Sequence, residues 1–164
     1  MKSSVFLRGK APSTETSSRQ FFPRRIGEVW VADHVIVLDT HVILWLALDP
    51  AKISANAKIA IAQARQASDL VAASDITLLE ISIAESKGQV RLNTSLELFL
   101  GDIESRFTIL PLTASICARA MAFSTNFPRD PADRIISATA VLSAAPLVTA
   151  DEGIRRSRAL NTIW

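Results

Sequence analysis

Val35–Leu38 reads VIVL, an unbroken apolar run of mostly β-branched residues, and Asp39 follows it directly. A run of this kind fits a strand buried on both faces, as found inside parallel sheets. A carboxylate in such company is costly unless it is paired, hydrogen-bonded or bound to a metal. Asp39 therefore either stands past the end of a buried strand, out of the core, or has a partner.

The pattern recurs down the chain. Leu70–Ala73, Phe107–Leu110 and Leu147–Thr149 are further short apolar runs, and Thr162–Trp164 fits a small last strand. Between them the spacing predicts helices over His41–Leu48, Ser54–Ala67, Asp75–Lys87, Ser95–Arg106, Thr113–Phe123 and Asp130–Ala145. Ser54, Asp75 and Asp130 are placed as N-caps, and Gly88 as a C-terminal stop. Alternating strands and helices predict an α/β sandwich around a mostly parallel central sheet. Ligands of such sheets bind beyond the carboxyl ends of the strands.

A chain of 164 residues is long enough for one domain with a substantial core. Charges break its apolar stretches well short of a membrane span, so no membrane partner is expected. The single cysteine, Cys117, excludes an internal disulfide framework and a cysteine-based zinc site. It reads as a small buried residue on a helix and fits a reducing, cytoplasmic setting. The net charge of +2 is unevenly spread: residues 1–34 carry +3 and residues 35–164 carry −1. The domain itself is therefore near neutral, and contact with nucleic acid must rest on a local patch. Residues 1–34, rich in Ser, Thr, Arg and Pro over their first 28 positions, read as a disordered or weakly ordered extension. A start codon assigned upstream of a natural start near Val35 accounts for it best; a transit peptide and an RNA-touching basic arm are the other readings.

Placed on this map, the acids converge. Asp39 and Asp151 each lie just past a strand, and two parallel strands of one sheet bring them to the same rim. Asp133 takes the third position of a helix capped by Asp130 with Pro131 next, and points into that rim if the helix starts there. Glu80 lies about one turn into the helix after the second strand, among apolar neighbours. Carboxylates gathered without basic partners raise one another's pKa or recruit cations. An all-oxygen set suits Mg²⁺ or Mn²⁺ over Zn²⁺. Thr40 and Thr149 stand where they can support the acids by hydrogen bonds. Arg134, Arg155, Arg156 and Arg158 stand where they can meet a phosphate backbone. His41 reads as structural, with a ligand or base role as the alternative.

The stretches VIVLDTH, SDITLLEIS, RDPADRIISATA and LVTADEGIR, in this order, resemble the motifs of PIN-domain ribonucleases, specifically the VapC-type toxins of bacterial toxin–antitoxin pairs. The resemblance covers Val35–Trp164, and the closing TIW is similar to one VapC subgroup. It implies a PIN-like (Rossmann-like) three-layer sandwich, usually dimeric, with Asp39, Glu80, Asp133 and Asp151 as the catalytic and metal-binding acids. It implies Mg²⁺- or Mn²⁺-dependent endonucleolytic cleavage of structured RNA, such as transfer or ribosomal RNA. It further implies a small VapB- or Phd-like antitoxin that blocks the site. Other classes compete: a catalytically silent binding protein of the same fold, a PIN nuclease of RNA maturation or DNA processing, and a receiver-type phosphotransfer domain. The last lacks a second aspartate two residues after Asp39, where His41 stands, and a lysine at the third strand end, where Pro111 stands.

Overall fold

The computed structural model describes residues 34–164 in full, together with the backbone of two short strands before them. These strands, β1 (Arg24–Ile26) and β2 (Val29–Val31), pair antiparallel. Two short strands thus pair within the predicted extension, and the remaining expectations for residues 1–33 lie outside the described residues.

Five strands form one sheet: β3 (Val35–Leu38), β4 (Leu70–Ser74), β5 (Thr108–Leu110), β6 (Leu147–Val148) and β7 (Thr162–Ile163). Their order is β5-β4-β3-β6-β7, and every pairing is parallel. The predicted sheet is therefore present and parallel throughout. The chain winds outward from β3 to β4 and β5, then returns to the other side of β3 for β6 and β7. The reversal lies between β3 and β6, the position where open α/β sheets form a binding crevice.

Strand periodicity explains the layers. Val35 and Val37 point into one core with Ala72, Leu110 and Leu147; Leu38, with Ile36 packed alongside, enters the other with Ala73 and Val148. The first core is closed by α5 (Ala114–Met121) and α6 (Pro131–Leu142), through Ile116, Ala120, Ile136 and Ala140. Phe123 and Phe127 from the connecting loop stack there with centroids 4.1 Å apart. The second core is closed by α1 (Thr40–Leu48), α2 (Ala55–Gln66), α3 (Ile76–Ser86) and α4 (Leu96–Arg106), through Val42, Ile61, Ile81 and Phe99. A 3₁₀ turn at Pro50–Lys52 links α1 to α2. No helix among the described residues is long and apolar enough to cross a membrane.

Local signals set the boundaries. The Ser54 hydroxyl accepts the Ala57 amide at 3.1 Å, and Gly88 takes φ +67° just past α3, as their caps require. Asp75 departs from expectation. It precedes α3 but makes no cap bond; its Oδ2 accepts the Leu112 amide at 2.7 Å and ties the β5 exit to the β4 exit. Cys117 is also a correction, being exposed, because Ile116 and Ala120 occupy the inner face of α5. A final helix, α7 (Glu152–Ser157), was not predicted; six residues are too few to show a helical period.

Candidate active site

Parallel register brings the strand ends together. Leu38 pairs with Ala73 on one side and Val148 on the other, so Asp39, Ser74 and Thr149 leave the sheet at one level. Asp39 is 4% exposed and serves as N-cap of α1. Both its oxygens are held: Oδ1 accepts the Thr40 amide at 2.7 Å, and Oδ2 accepts the Thr149 hydroxyl at 2.6 Å. The Thr149 hydroxyl accepts in turn from the Asp151 amide at 3.0 Å. Asp151 caps α7, its Oδ1 taking the Ile154 amide at 2.7 Å. A Cβ on Gly153 would stand 3.1 Å from that oxygen and 3.1 Å from Pro128 Cγ, so glycine lets α7 start this close to the carboxylate.

Glu80 arrives from α3. The Thr40 hydroxyl lies 2.6 Å from Glu80 Oε2, and donates to it, while Thr77 Oγ1 lies 3.1 Å from the same hydroxyl. Thr77 precedes Glu80 by three positions on one helix face, and that spacing is the signal by which sequence reasoning could have found it. Asp133 is the third residue of α6, as expected from Asp130, whose Oδ1 accepts the Ala132 amide at 2.8 Å. The supporting roles predicted for Thr40 and Thr149 thus correspond to actual bonds.

Burial raises the pKa of Asp39 first, and Asp151 raises it further; the His41 ring, the Thr149 hydroxyl and the Thr40 amide oppose this. Glu80 is also pushed up, by burial and then by Asp39 and Asp130, against the Thr40 hydroxyl. Asp133 is raised to about 7 by burial and by repulsion from Asp39, Asp151, Asp130 and Glu80. Asp133 therefore senses every other acid of the rim. Among the described residues, none of the four predicted site acids has a lysine or arginine within ion-pair distance, and the ring of His41 is 3.4 Å from Asp39.

This charge has a consequence for stability. The folded pKa of Asp133 lies above its ordinary carboxylate value, so the native state binds that proton more tightly than the unfolded chain. Its stabilising contribution is complete below about pH 4 and is lost as pH rises through about 7. The metal-free protein is expected to lose about 1–2 kcal/mol on this account, after allowance for solvent screening of a half-exposed carboxylate. Asp133→Asn should flatten the decline of Tm with pH in chelator; an unchanged slope would contradict this origin.

The donor set fits a hard divalent cation: it is all oxygen, negatively charged and uncompensated. Among the described residues no three acidic, histidine or cysteine side chains already surround one point as a cage.

The arginines divide. Arg134 is a correction to the predicted RNA-facing set. It is buried, with Nε donating to Pro128 O at 2.8 Å, Nη1 to Ala120 O at 3.1 Å and Phe123 O at 3.4 Å, and Nη2 to Ser124 O at 3.2 Å. It staples the loop between α5 and α6. Arg155, Arg156 and Arg158 are exposed and line a shallow depression with Glu152 and Thr162, and Arg156 pairs with Glu152. They follow Asp151 by about one to two turns of chain.

Residues 36–160 match the family model described as PIN domain. The chain belongs to the PIN-domain family. Over 131 residues it is 30% identical to Ribonuclease VapC22 of Mycobacterium tuberculosis, covering 79% of this chain and 98% of that protein. Among solved structures, VapBC2 of Rickettsia felis bound to a promoter DNA fragment superposes with a TM-score of 0.60 at 19% identity, over 78% of this chain and 96% of the other. A toxin–antitoxin complex from Klebsiella pneumoniae gives 0.51 at 24% identity, over 71% and 86%. These two likenesses concern the fold. In this PIN domain the four motifs run from β3 into α1, from the end of β4 into α3, along most of α6, and from β6 into α7.

Proposed function

We propose that this PIN domain is a metal-dependent endoribonuclease toxin of the VapC kind, cutting structured RNA and held in check by a small antitoxin. One observation carries the reading: beside the switch point of the sheet, the Asp133 carboxyl is pushed up to about 7 by burial and by repulsion from Asp39, Asp151, Asp130 and Glu80, and among the described residues no lysine or arginine pairs with Asp39, Glu80, Asp133 or Asp151. The 30% identity to a ribonuclease across nearly its whole length supports the substrate class.

The four acids are the residues that hold Mg²⁺ or Mn²⁺ in this reading. A divalent ion there supplies neutralisation of phosphodiester charge and activation of water. The protein's own share is orientation and charge. Thr149 and Thr40 fix Asp39, and Thr40 fixes Glu80, so two carboxylates from different elements share one hydroxyl-bonded frame. Asp133 gives up its proton when a cation is taken, which couples metal affinity to pH near neutrality. Arg155 and Arg158 are exposed to meet phosphates on the strand flanking the cut, and Arg156, paired with Glu152, stands beside them. Attack of water on phosphorus breaks the bond to the 3′ oxygen and leaves 5′-phosphate and 3′-hydroxyl ends. The antitoxin is VapB- or Phd-like, the protein is a homodimer, and it works in the cytoplasm.

The test is incubation of purified protein with transfer and ribosomal RNA in Mg²⁺, Mn²⁺ or chelator, followed by mapping of ends. Cleavage confined to the metal-containing samples, with 5′-phosphate ends, is expected. Cleavage that persists in chelator, or cyclic phosphate ends, would reject the reading.

A further inference from the structure

We propose that His41 is a positioning residue for the acid rim, with its ring held as the Nδ1–H tautomer between Asp39 and the turn that carries Asp151. The proposal rests on the reading of that rim as a cation-holding nuclease site.

One hydrogen bond fixes the tautomer. The Ala150 amide donates to His41 Nε2 at 2.8 Å. An N–H can donate only to a bare ring nitrogen, so Nε2 carries no proton and the proton of the neutral ring lies on Nδ1. Nδ1 is 3.4 Å from Asp39 Oδ2. That exceeds an ordinary N–H···O bond, so the link to Asp39 is an electrostatic contact. The same carboxylate oxygen accepts the Thr149 hydroxyl at 2.6 Å. Thr149, Ala150 and Asp151 are consecutive, and the Thr149 hydroxyl also accepts the Asp151 amide. Asp39, His41, Ala150, Asp151 and Thr149 thus close a ring of contacts that ties the β3 exit to the β6 exit. His41 spans it from the α1 side.

The ring itself is fixed from outside. Trp45, one turn further along α1, lies with its centroid 4.8 Å from that of His41, and Trp164 stands edge-on at 6.4 Å. Trp45 and Trp164 contact each other at 5.7 Å, and the Trp164 carbonyl accepts from Asn56 Nδ2 at 3.3 Å. The aromatic residues around β7 and α1 therefore set the orientation of the imidazole, and the imidazole sets the separation of two site acids. Residues that orient metal ligands from behind typically change metal affinity or activity by about 10–100-fold when replaced.

Long-range ¹⁵N correlation of the His41 ring in metal-free protein is expected to show a protonated Nδ1 and a bare Nε2; the opposite tautomer overturns the proposal. His41→Phe keeps a ring against Trp45 and Trp164 but removes both nitrogens. It is expected to weaken Mn²⁺ binding about tenfold and to lower kcat with KM for RNA unchanged. His41→Gln, which offers an oxygen to the Ala150 amide, should recover part of both. If His41→Phe matches wild type in Mn²⁺ affinity and kcat, His41 serves packing only and the proposal fails while the nuclease reading stands. A wild-type protein that neither binds Mn²⁺ nor cleaves RNA overturns both.

Discussion

Arg134→Met is expected to cost about 3–5 kcal/mol of folding stability. The guanidinium is buried and has no carboxylate within ion-pair distance among the described residues. Its charge is balanced instead by the carbonyls of Ala120, Phe123, Ser124 and Pro128. Ala120 belongs to the last turn of α5, where carbonyls lack helical partners and the helix dipole is negative. Methionine fills a similar volume but donates nothing, and buried acceptors left unpaired cost about 1–3 kcal/mol each. Against a typical total of about 5–15 kcal/mol the loss is severe. It should lower Tm by roughly 10 °C in a chain of this size. The stapled loop leads directly into Asp130 and α6, so loosening it also releases Asp133. Thermal and urea unfolding check the result. A Met variant as stable as wild type with a raised KM for RNA would show that Arg134 meets substrate after all.

The error over Arg134 shows what a sequence can and cannot reveal here. VIVL announced a buried strand because its signal is local: β-branched residues over one short span. Asp133 was legible for the same reason, since Asp130 and Pro131 mark a helix start within three residues. Arg134 reads as a surface cation in sequence because nothing near it shows that carbonyls from residues 120–128 turn toward it. That convergence is tertiary. Asp75 failed likewise: it has the composition of a cap, but the Leu112 amide across the sheet exit takes its oxygen. For Cys117 the average preference of cysteine for burial gives way to the stripe of Ile116 and Ala120, which takes the inner face of α5. His41 showed only that it opened an apolar helix; its bond to the Ala150 amide spans 109 positions.

Asp39→Asn is expected to lower RNA cleavage by roughly a thousandfold or more, equivalent to about 4 kcal/mol of transition-state stabilisation. The side chain keeps its shape, so the Thr40 amide can still be accepted. The negative charge at the centre of the rim is lost, and with it the donor that a cation would share with Glu80 and Asp133. The new amide N–H₂ group also confronts the Nδ1–H of His41, which cannot shift its proton while Nε2 accepts from Ala150. Folding should survive, because the wild-type carboxylate is itself disfavoured by burial. Circular dichroism and Tm in chelator should stay close to wild type, while the rise in Tm produced by Mg²⁺ in wild type should disappear. An Asn variant that cleaves at wild-type rate would remove Asp39 from the chemistry.

The most direct test of the account is titration of Mn²⁺ into metal-free protein at about pH 7, near the pKa of Asp133, by calorimetry in buffers of different ionisation enthalpy. Saturable binding by wild type with release of part of a proton is expected, and binding at least about tenfold weaker in both Asp39→Asn and Asp133→Asn. Absence of Mn²⁺ binding by wild type at millimolar concentration, or wild-type affinity in either variant, would contradict this.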